Sequence, residues 1–205
     1  MIARAPAASA PARARRLPLF KPKMRSPTKR AKLAPKPSPL SSGVMTNNFA
    51  YIDGANLHKG IKNLGWKLDY KRFRIWLKEK YQVVEAYLFL GLIAEYRDLY
   101  VRLQEAGFIL VFREVTYDRE GKAKGNCDAD LVLHAMKDVY ENKFNQAILV
   151  SSDGDYAGLV KFLNERNKFK VILSAEPVSK CSILLKRTGV KIAYLNDQKS
   201  ILKIR

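Results

Sequence analysis

Residues 146–156, QAILVSSDGDY, join a short apolar run to two aspartates, Asp153 and Asp155, that stand one glycine apart. The run reads as a strand buried on both faces. The adjoining stretch, DYAGLVKFLNERN, has apolar residues at i, i+3, i+4 and i+7, the spacing of a helix with one buried face. A buried strand, an acidic turn and an amphipathic helix, in that order, are the repeating step of an α/β chain.

The same step recurs on either side. Apolar runs at FAYID (49–53), VVEAYLFL (83–90), FILVFRE (108–114), KVILSA (170–175) and KIAYL (191–195) bring the strands to six. Between them DYKRFRIWLKEKY, AEYRDLYVRLQEAG, DADLVLHAMKDVYENK and VSKCSILLKRTG carry the helical period. Strands apolar throughout and separated by helices indicate a doubly wound α/β domain, with a mostly parallel sheet and helices on both faces. Ligands of such folds bind beyond the carboxyl ends of the strands, where the direction of strand addition reverses.

Composition bounds the domain. The 205 residues carry a net charge of +19, yet residues 1–46 hold eight of the nine prolines and eleven Lys or Arg with no Asp or Glu. Setting those eleven cations aside leaves +8 on residues 47–205. A Pro-, Ala- and Arg-rich segment lacks the apolar surface to offset its ordering entropy, so 1–46 reads as a disordered basic tail and 47–205 as one folded domain. The tail has three readings: an arm for nucleic acid, an organellar presequence, or a passive extension ahead of Met45, where MTNNFAYIDGAN resembles a natural start. No run approaches the roughly 18 apolar residues of a membrane span, so a soluble protein is expected. Cys127 and Cys181 lack the spacing of a zinc site or disulfide framework and suit a reducing, cytoplasmic setting. A homodimer is left open.

Asp53 closes the first strand in YIDGANLH, and Asp153 closes the fourth. In a sheet of order 3-2-1-4-5 those strands are neighbours at the switch point, so their carboxylates converge. Gly54 and Gly154 are expected to let the chain turn sharply out of each strand. Asp128 heads the stripe Leu131, Val132, Ala135 and Val139, which aims its carboxylate over the sheet end. Asp155, sharing a face with Gly158, Leu159 and Phe162, is expected on the inward side of its helix. Asp130 is expected to pair with His134 on a solvated face. Any one acid alone reads as well as a cap or a complement to a positive helix end. Four converging like charges repel unless a cation lies between them, and carboxylates without His or Cys favour Mg²⁺ or Mn²⁺ over zinc.

Three segments now carry a resemblance: YIDGAN with Asp53 and Asn56, KGNCDADL with Lys124, Gly125 and Asp128, and SSDGDY with Asp153 and Asp155. Together they resemble the signature segments of the NYN domain, the LabA-like branch of the PIN-like nucleases, over about Asn48 to about Leu195. The resemblance implies a PIN-like three-layer α/β/α sandwich and metal-dependent hydrolysis of RNA phosphodiester bonds. Position by position it implies that Asp53, Asp128, Asp153 and Asp155 form the acidic metal site and that Asn56 is the Asn following the first acid. One departure stands out: many members carry a further acid, two helical turns after the one matching Asp128, where this chain has His134. An ion held by these carboxylates would polarise the scissile phosphate and acidify a bound water, with no protein nucleophile required. Asn56 would orient that water or a phosphate oxygen.

RNA is therefore the expected partner. Surplus positive charge draws phosphates to a site that would otherwise repel them. Lys59, Lys62, Lys67, Lys71, Arg72, Lys122 and Lys124 flank the crevice segments. Of these Lys59 and Lys124, together with Ser152, are the candidate nucleic-acid contacts, although Ser151 and Ser152 also suit a strand-to-helix turn. Trp66 and Tyr70 are candidates for stacking on unpaired bases, with partial burial as the alternative, and His58 for a phosphate. Phe73 and Trp76, three residues apart, belong in the core. Two other functions stay open. One is a nucleic-acid-binding module with a vestigial site, for which the basic arm and His134 in place of an acid are the motives. The other is a phosphatase using the DxD pair, against which the pair's position after the fourth strand weighs.

Overall fold

A computed structural model describes residues 47–114, 116–117, 123–124 and 127–204, the two short pieces by their backbone alone. The strands are β1 (Asn48–Asp53), β2 (Val83–Gly91), β3 (Ile109–Arg113), β4 (Thr116–Tyr117), β5 (Ala123–Lys124), β6 (Ala147–Val150), β7 (Phe169–Ser174) and β8 (Ile192–Tyr194). The helices are α1 (Gly54–Asn63), α2 (Tyr70–Tyr81), α3 (Arg97–Glu105), α4 (Asp128–Tyr140), α5 (Ala157–Glu165), α6 (Ile183–Lys186) and α7 (Lys199–Leu202). Short 3-10 turns occupy Ala94–Tyr96, Gly154–Tyr156 and Leu195–Gln198. β4 and β5 pair with each other, antiparallel. The other six strands form one sheet in the order β3-β2-β1-β6-β7-β8, parallel at every junction. This is the doubly wound α/β architecture expected from the alternating runs.

The central strands are apolar throughout because each alternate residue meets a different helical layer. Along β1, Ala50 and Ile52 pack with Leu57 of α1, Phe73 and Leu77 of α2 and Leu103 of α3. Phe49 and Tyr51 pack with Leu131 and Ala135 of α4, Leu159 and Leu163 of α5 and Leu185 of α6. Burying such a side chain contributes roughly 1.5–3 kcal/mol. A one-residue slip of β1 would drive the rings of Phe49 and Tyr51 into space shaped for Ala50 and Ile52, so the register is strongly specified. At the sheet edge the pattern relaxes: Ile109 and Phe112 of β3, expected to be buried, are 43% and 41% exposed.

From β1 the chain adds β2 and β3 on one side, then crosses to lay down β6, β7 and β8 on the other. The switch point therefore lies between β1 and β6. Ile52 sits opposite Val150 in that pair, so Asp53 and Ser151 leave the sheet side by side.

Several elements differ from the sequence reading. Helix α1 follows β1 directly, where only a turn was expected; with glycines at its first and seventh positions and only Leu57 and Ile61 of its apolar residues buried, its stripe is thin. The segment VSKCSILLKRTG forms only the four-residue α6, because Ser182 caps it from within, its Oγ accepting from the Leu184 N–H at 3.2 Å. The β4–β5 pair and α7 were not anticipated. Among the described residues no helix is long and apolar enough to cross a membrane.

Helix α1 lies close against the end of β7. A Cβ on Gly60 would fall 2.6 Å from Ala175 Cβ and 2.9 Å from the Ala175 carbonyl carbon. Helix propensity alone makes Gly→Ala stabilising by about 1 kcal/mol. Here the clash with backbone reverses the sign: Gly60→Ala is expected to cost about 1–3 kcal/mol and lower Tm by several degrees. Thermal unfolding followed by circular dichroism decides it, and a raised Tm would show that the α1–β7 contact has slack.

Candidate metal centre

Asp53 leaves β1 as the cap of α1, its Oδ1 accepting from the Asn56 N–H at 2.9 Å. Its Oδ2 accepts from Ser151 Oγ at 3.4 Å and lies 3.3 Å from the Tyr156 hydroxyl. The side chain is buried. Burial pushes the carboxyl above the ordinary carboxylate range; the Asn56 N–H opposes this, and the charge of Asp128 adds to it.

Asp153 caps the Gly154–Tyr156 turn in the same manner, its Oδ1 accepting from the Asp155 N–H at 3.1 Å. Its own N–H donates to Ser151 Oγ at 3.1 Å. Asp128 opens α4 and accepts from the Tyr156 hydroxyl at 2.5 Å. Carboxylate oxygens of Asp128, Asp153 and Asp155 all lie within 4.8 Å of one another, the one such group of His, Cys, Asp and Glu among the described residues. Asp53 is outside that group. It stands behind it, linked to Asp128 through Tyr156.

Tyr156 is the residue that the sequence reading passed over. It is fully buried, and burial, then the charge of Asp53, hold its hydroxyl far above the ordinary tyrosine range. The phenol therefore serves as a hydrogen-bond donor. The available signal was its position, one residue past Asp155 and on the stripe with Leu159, Val160 and Leu163 that α5 buries.

That stripe also corrects Asp155. α5 buries the face of Tyr156, Leu159, Val160 and Leu163, whereas Gly158 and Phe162, which share a side with Asp155, are exposed and half-buried, so Asp155 is exposed instead of inward. Asn56 lines the cleft, but its Oδ1 accepts from the Ser152 N–H at 2.9 Å, tying α1 to the end of β6. Ser152, a candidate nucleic-acid contact, is instead buried. Its Oγ lies 2.9 Å from Ser174 Oγ and accepts from the Glu176 N–H at 3.2 Å, which spends it on the β6–β7 junction. Gly54 and Gly154 are needed for space rather than for the turn: a Cβ would meet the Phe89 carbonyl oxygen at 2.7 Å and Ser182 Oγ at 2.4 Å respectively.

Asp130 pairs with Arg113 at 2.7 Å and not with His134. The imidazole of His134 lies against the Tyr87 ring, with centroids 4.5 Å apart, and its Nε2 is 3.5 Å from Oδ2 of the buried Asp138. Asp138 also accepts from Tyr51 at 2.9 Å and from Lys143 at 3.2 Å. His134 thus belongs to a packed polar cluster on α4 and not to the three-acid group.

A cleft of about 650 Å³ opens onto Asp53, Asn56, Asp128 and Asp153, with His58 and Lys59 on its lining. Both of these side chains are exposed. Lys124 falls in β5, its side chain outside the described residues, as are Lys122 and Gly125 entirely. Trp66 is buried rather than available to a base, while Tyr70 is half-buried and lines the cleft. Cys127 lines it too, but burial, with the charge of Asp130, pushes its thiol up to about 11, so it offers no thiolate near neutral pH.

Comparison with known families and structures matches residues 49–193 to the NYN domain. No curated protein matches the chain. A solved structure of a protein of unknown function from Vibrio parahaemolyticus is similar at a TM-score of 0.65 and 22% identity, covering 80% of this chain and 99% of that one. At that identity the likeness speaks for the fold alone.

A carboxylic acid whose pKa rises on folding favours the fold while protonated. That contribution is complete below the ordinary carboxylate range and is lost as pH climbs through the raised value. Asp53→Asn, neutral at every pH, is therefore expected to raise the Tm of chelator-treated protein at neutral pH. The gain should shrink as pH falls into the acid range. Melting curves from acid to neutral pH test this; a gain that is independent of pH, or a loss at neutral pH, contradicts it.

Proposed function

Because the chain belongs to the NYN domain family, we propose that it is a divalent-metal-dependent ribonuclease, hydrolysing RNA phosphodiester bonds with Mg²⁺ or Mn²⁺. The observation that carries this reading is the meeting of the Asp128, Asp153 and Asp155 carboxylates, within 4.8 Å, in a chain of net charge +19. The donor set fits a hard ion: three carboxylates, with no His or Cys among them. Asp128, Asp153 and Asp155 would hold it, and Asp53 stands ready behind them.

When bound, the ion would supply a Lewis acid for the scissile phosphate and an acidified water as nucleophile. The chain's own residues do the rest. Ser151 fixes two acids at once, its Oγ donating to Asp53 and accepting from the Asp153 N–H. Tyr156 fixes Asp128 by donating to it. Asn56 is a positioning residue in this reading, since its Oδ1 already holds the Ser152 N–H. Lys59, exposed on the cleft, and Lys124 would draw the phosphate backbone towards the acids. The two free thiols suit a cytoplasmic location. Against the vestigial-site alternative, three carboxylates meet without any contribution from the position of His134.

Incubating single-stranded and hairpin RNAs with the protein tests the reading, with Mn²⁺, Mg²⁺ or chelator, beside Asp153→Asn. Removing partners one shell out from a metal typically costs 10–100-fold, so loss of the ligand itself is expected to reduce cleavage at least about 100-fold while the circular dichroism spectrum is unchanged. Metal-independent RNA binding with no cleavage by the wild type would replace this function with a binding module. An acyl-phosphate trapped on Asp153 would replace it with a phosphatase.

A further inference from the structure

The cleft that holds the acids does not end with them. Its volume of about 650 Å³ far exceeds what one hydrated ion and one phosphodiester fill, and lies in the range of pockets that take a whole small molecule. Away from Asp53 and Asp128 the lining changes character. Tyr70, Leu90, Ile93, Tyr96 and Leu99 make an arm that is apolar and partly aromatic.

This arm is built rather than left over. The hydroxyl of Tyr100 accepts from the Ile93 N–H at 2.9 Å and donates to the Gly91 carbonyl at 3.1 Å. The Leu92 N–H donates to the Arg113 carbonyl at 2.9 Å. These bonds pin the connection between β2 and α3, which carries Ile93 and Tyr96 along the cleft. Tyr96 is 52% exposed there, so part of its ring is open to the cleft. On the lining from α1, His58 and Lys59 place cationic or hydrogen-bonding groups beside the same space.

An occupant of the arm has to present an apolar face, and it has to be continuous with a phosphate at the acids. Within a nucleic acid only a base meets the first condition, and only an unpaired one, because bases inside a duplex have both faces covered by their neighbours. We propose that the arm receives one unpaired base, stacked on Tyr96, from the nucleotide beside the scissile phosphate. The placement of that phosphate rests on the ribonuclease reading; the base site is a binding property and is testable without cleavage.

Two measurements on the full chain with Mn²⁺ decide it. In calorimetric titrations, nucleoside 5′-monophosphates are expected to bind about tenfold more tightly than ribose 5-phosphate, the scale of one base–aromatic stack. Tyr96→Ala should abolish that preference and Tyr96→Phe should keep it, with the Tm of both variants near that of the wild type. In single-stranded RNA carrying one abasic position, moved along the chain, one position should weaken binding to Asp153→Asn protein about tenfold. The same substrate should cost nothing further once Tyr96→Ala is also present. Equal affinity for ribose 5-phosphate, or a base preference that survives Tyr96→Ala, overturns the base site. Normal metal-dependent cleavage with a flat abasic scan likewise removes the base site while leaving the ribonuclease standing. A base preference lost in Tyr96→Ala, in a protein that cleaves nothing, keeps the base site and removes the ribonuclease.

Discussion

Carboxylates brought within a few ångströms of one another repel, and a protein that gathers them has to hold them with something stiffer than that repulsion. Here the stiff element is the parallel sheet. Asp53 extends β1 and Asp153 comes after β6, adjacent strands whose register is locked by packing on both faces. The remaining two acids arrive from helix starts, Asp128 at the head of α4 and Asp155 in the turn before α5. Both helices are anchored by buried stripes on the same face of the sheet, so the acids cannot separate without unpacking that face.

The local hydrogen bonds finish what the sheet begins. Asp53 and Asp153 each cap the next element in the chain, which turns one oxygen of each towards a backbone N–H. The bland reading of these residues as caps and the functional reading as ligands are therefore compatible, because a carboxylate has two oxygens and a cap uses one. Capping fixes the direction of the oxygen that remains. Tyr156 presents a different case, one proton set between two carboxylates. The shorter contact, 2.5 Å to Asp128 against 3.3 Å to Asp53, assigns the proton to Asp128. Asp53 keeps the Asn56 N–H and a long contact to Ser151, too little to offset its burial. The four acids are thus unequal, with three near one another and open to the cleft or solvent, and one buried whose charge is costly.

Much of this was legible in the sequence. The six apolar runs, the sheet order around the switch point and the convergence of Asp53 and Asp153 come from patterns with long-range meaning. A strand buried on both faces admits few placements. What escaped was set by short-range phase and by tertiary context. Asp155 reads as inward through its spacing from Gly158, Leu159 and Phe162, but α5 turns Tyr156, Leu159, Val160 and Leu163 to the core and leaves the side of Gly158 open. The thin stripe of α1 hid a helix behind two glycines, and the closeness of Gly60 to Ala175 that explains one of them has no local signature. His134 reads as polar surface beside Asp130, yet the rings of Tyr87 and Tyr51 from two sheet strands, with the buried Asp138, draw it elsewhere. Tyr156 had a position in the pattern but no chemistry in it, since a phenol on an apolar stripe is indistinguishable from core until its neighbours are known.

The balance of charge in the molecule obeys the same constraint. Among the described residues the spacing of the acids is set by strands, caps and one phenol, while the chain as a whole carries a net charge of +19. Its effect is on what approaches. On the proposed reading, a polyanion drawn in by that field would meet a cleft whose acidic end repels it until a cation is bound there, and whose far end is apolar. On that reading, attraction at long range and repulsion at contact would make phosphate binding conditional on the ion. The apolar arm would be subject to no such condition, since stacking does not depend on the charge state of the acids. A nucleic acid would then be held by a base before its phosphate is accepted, and the two ends of the cleft would separate binding from chemistry.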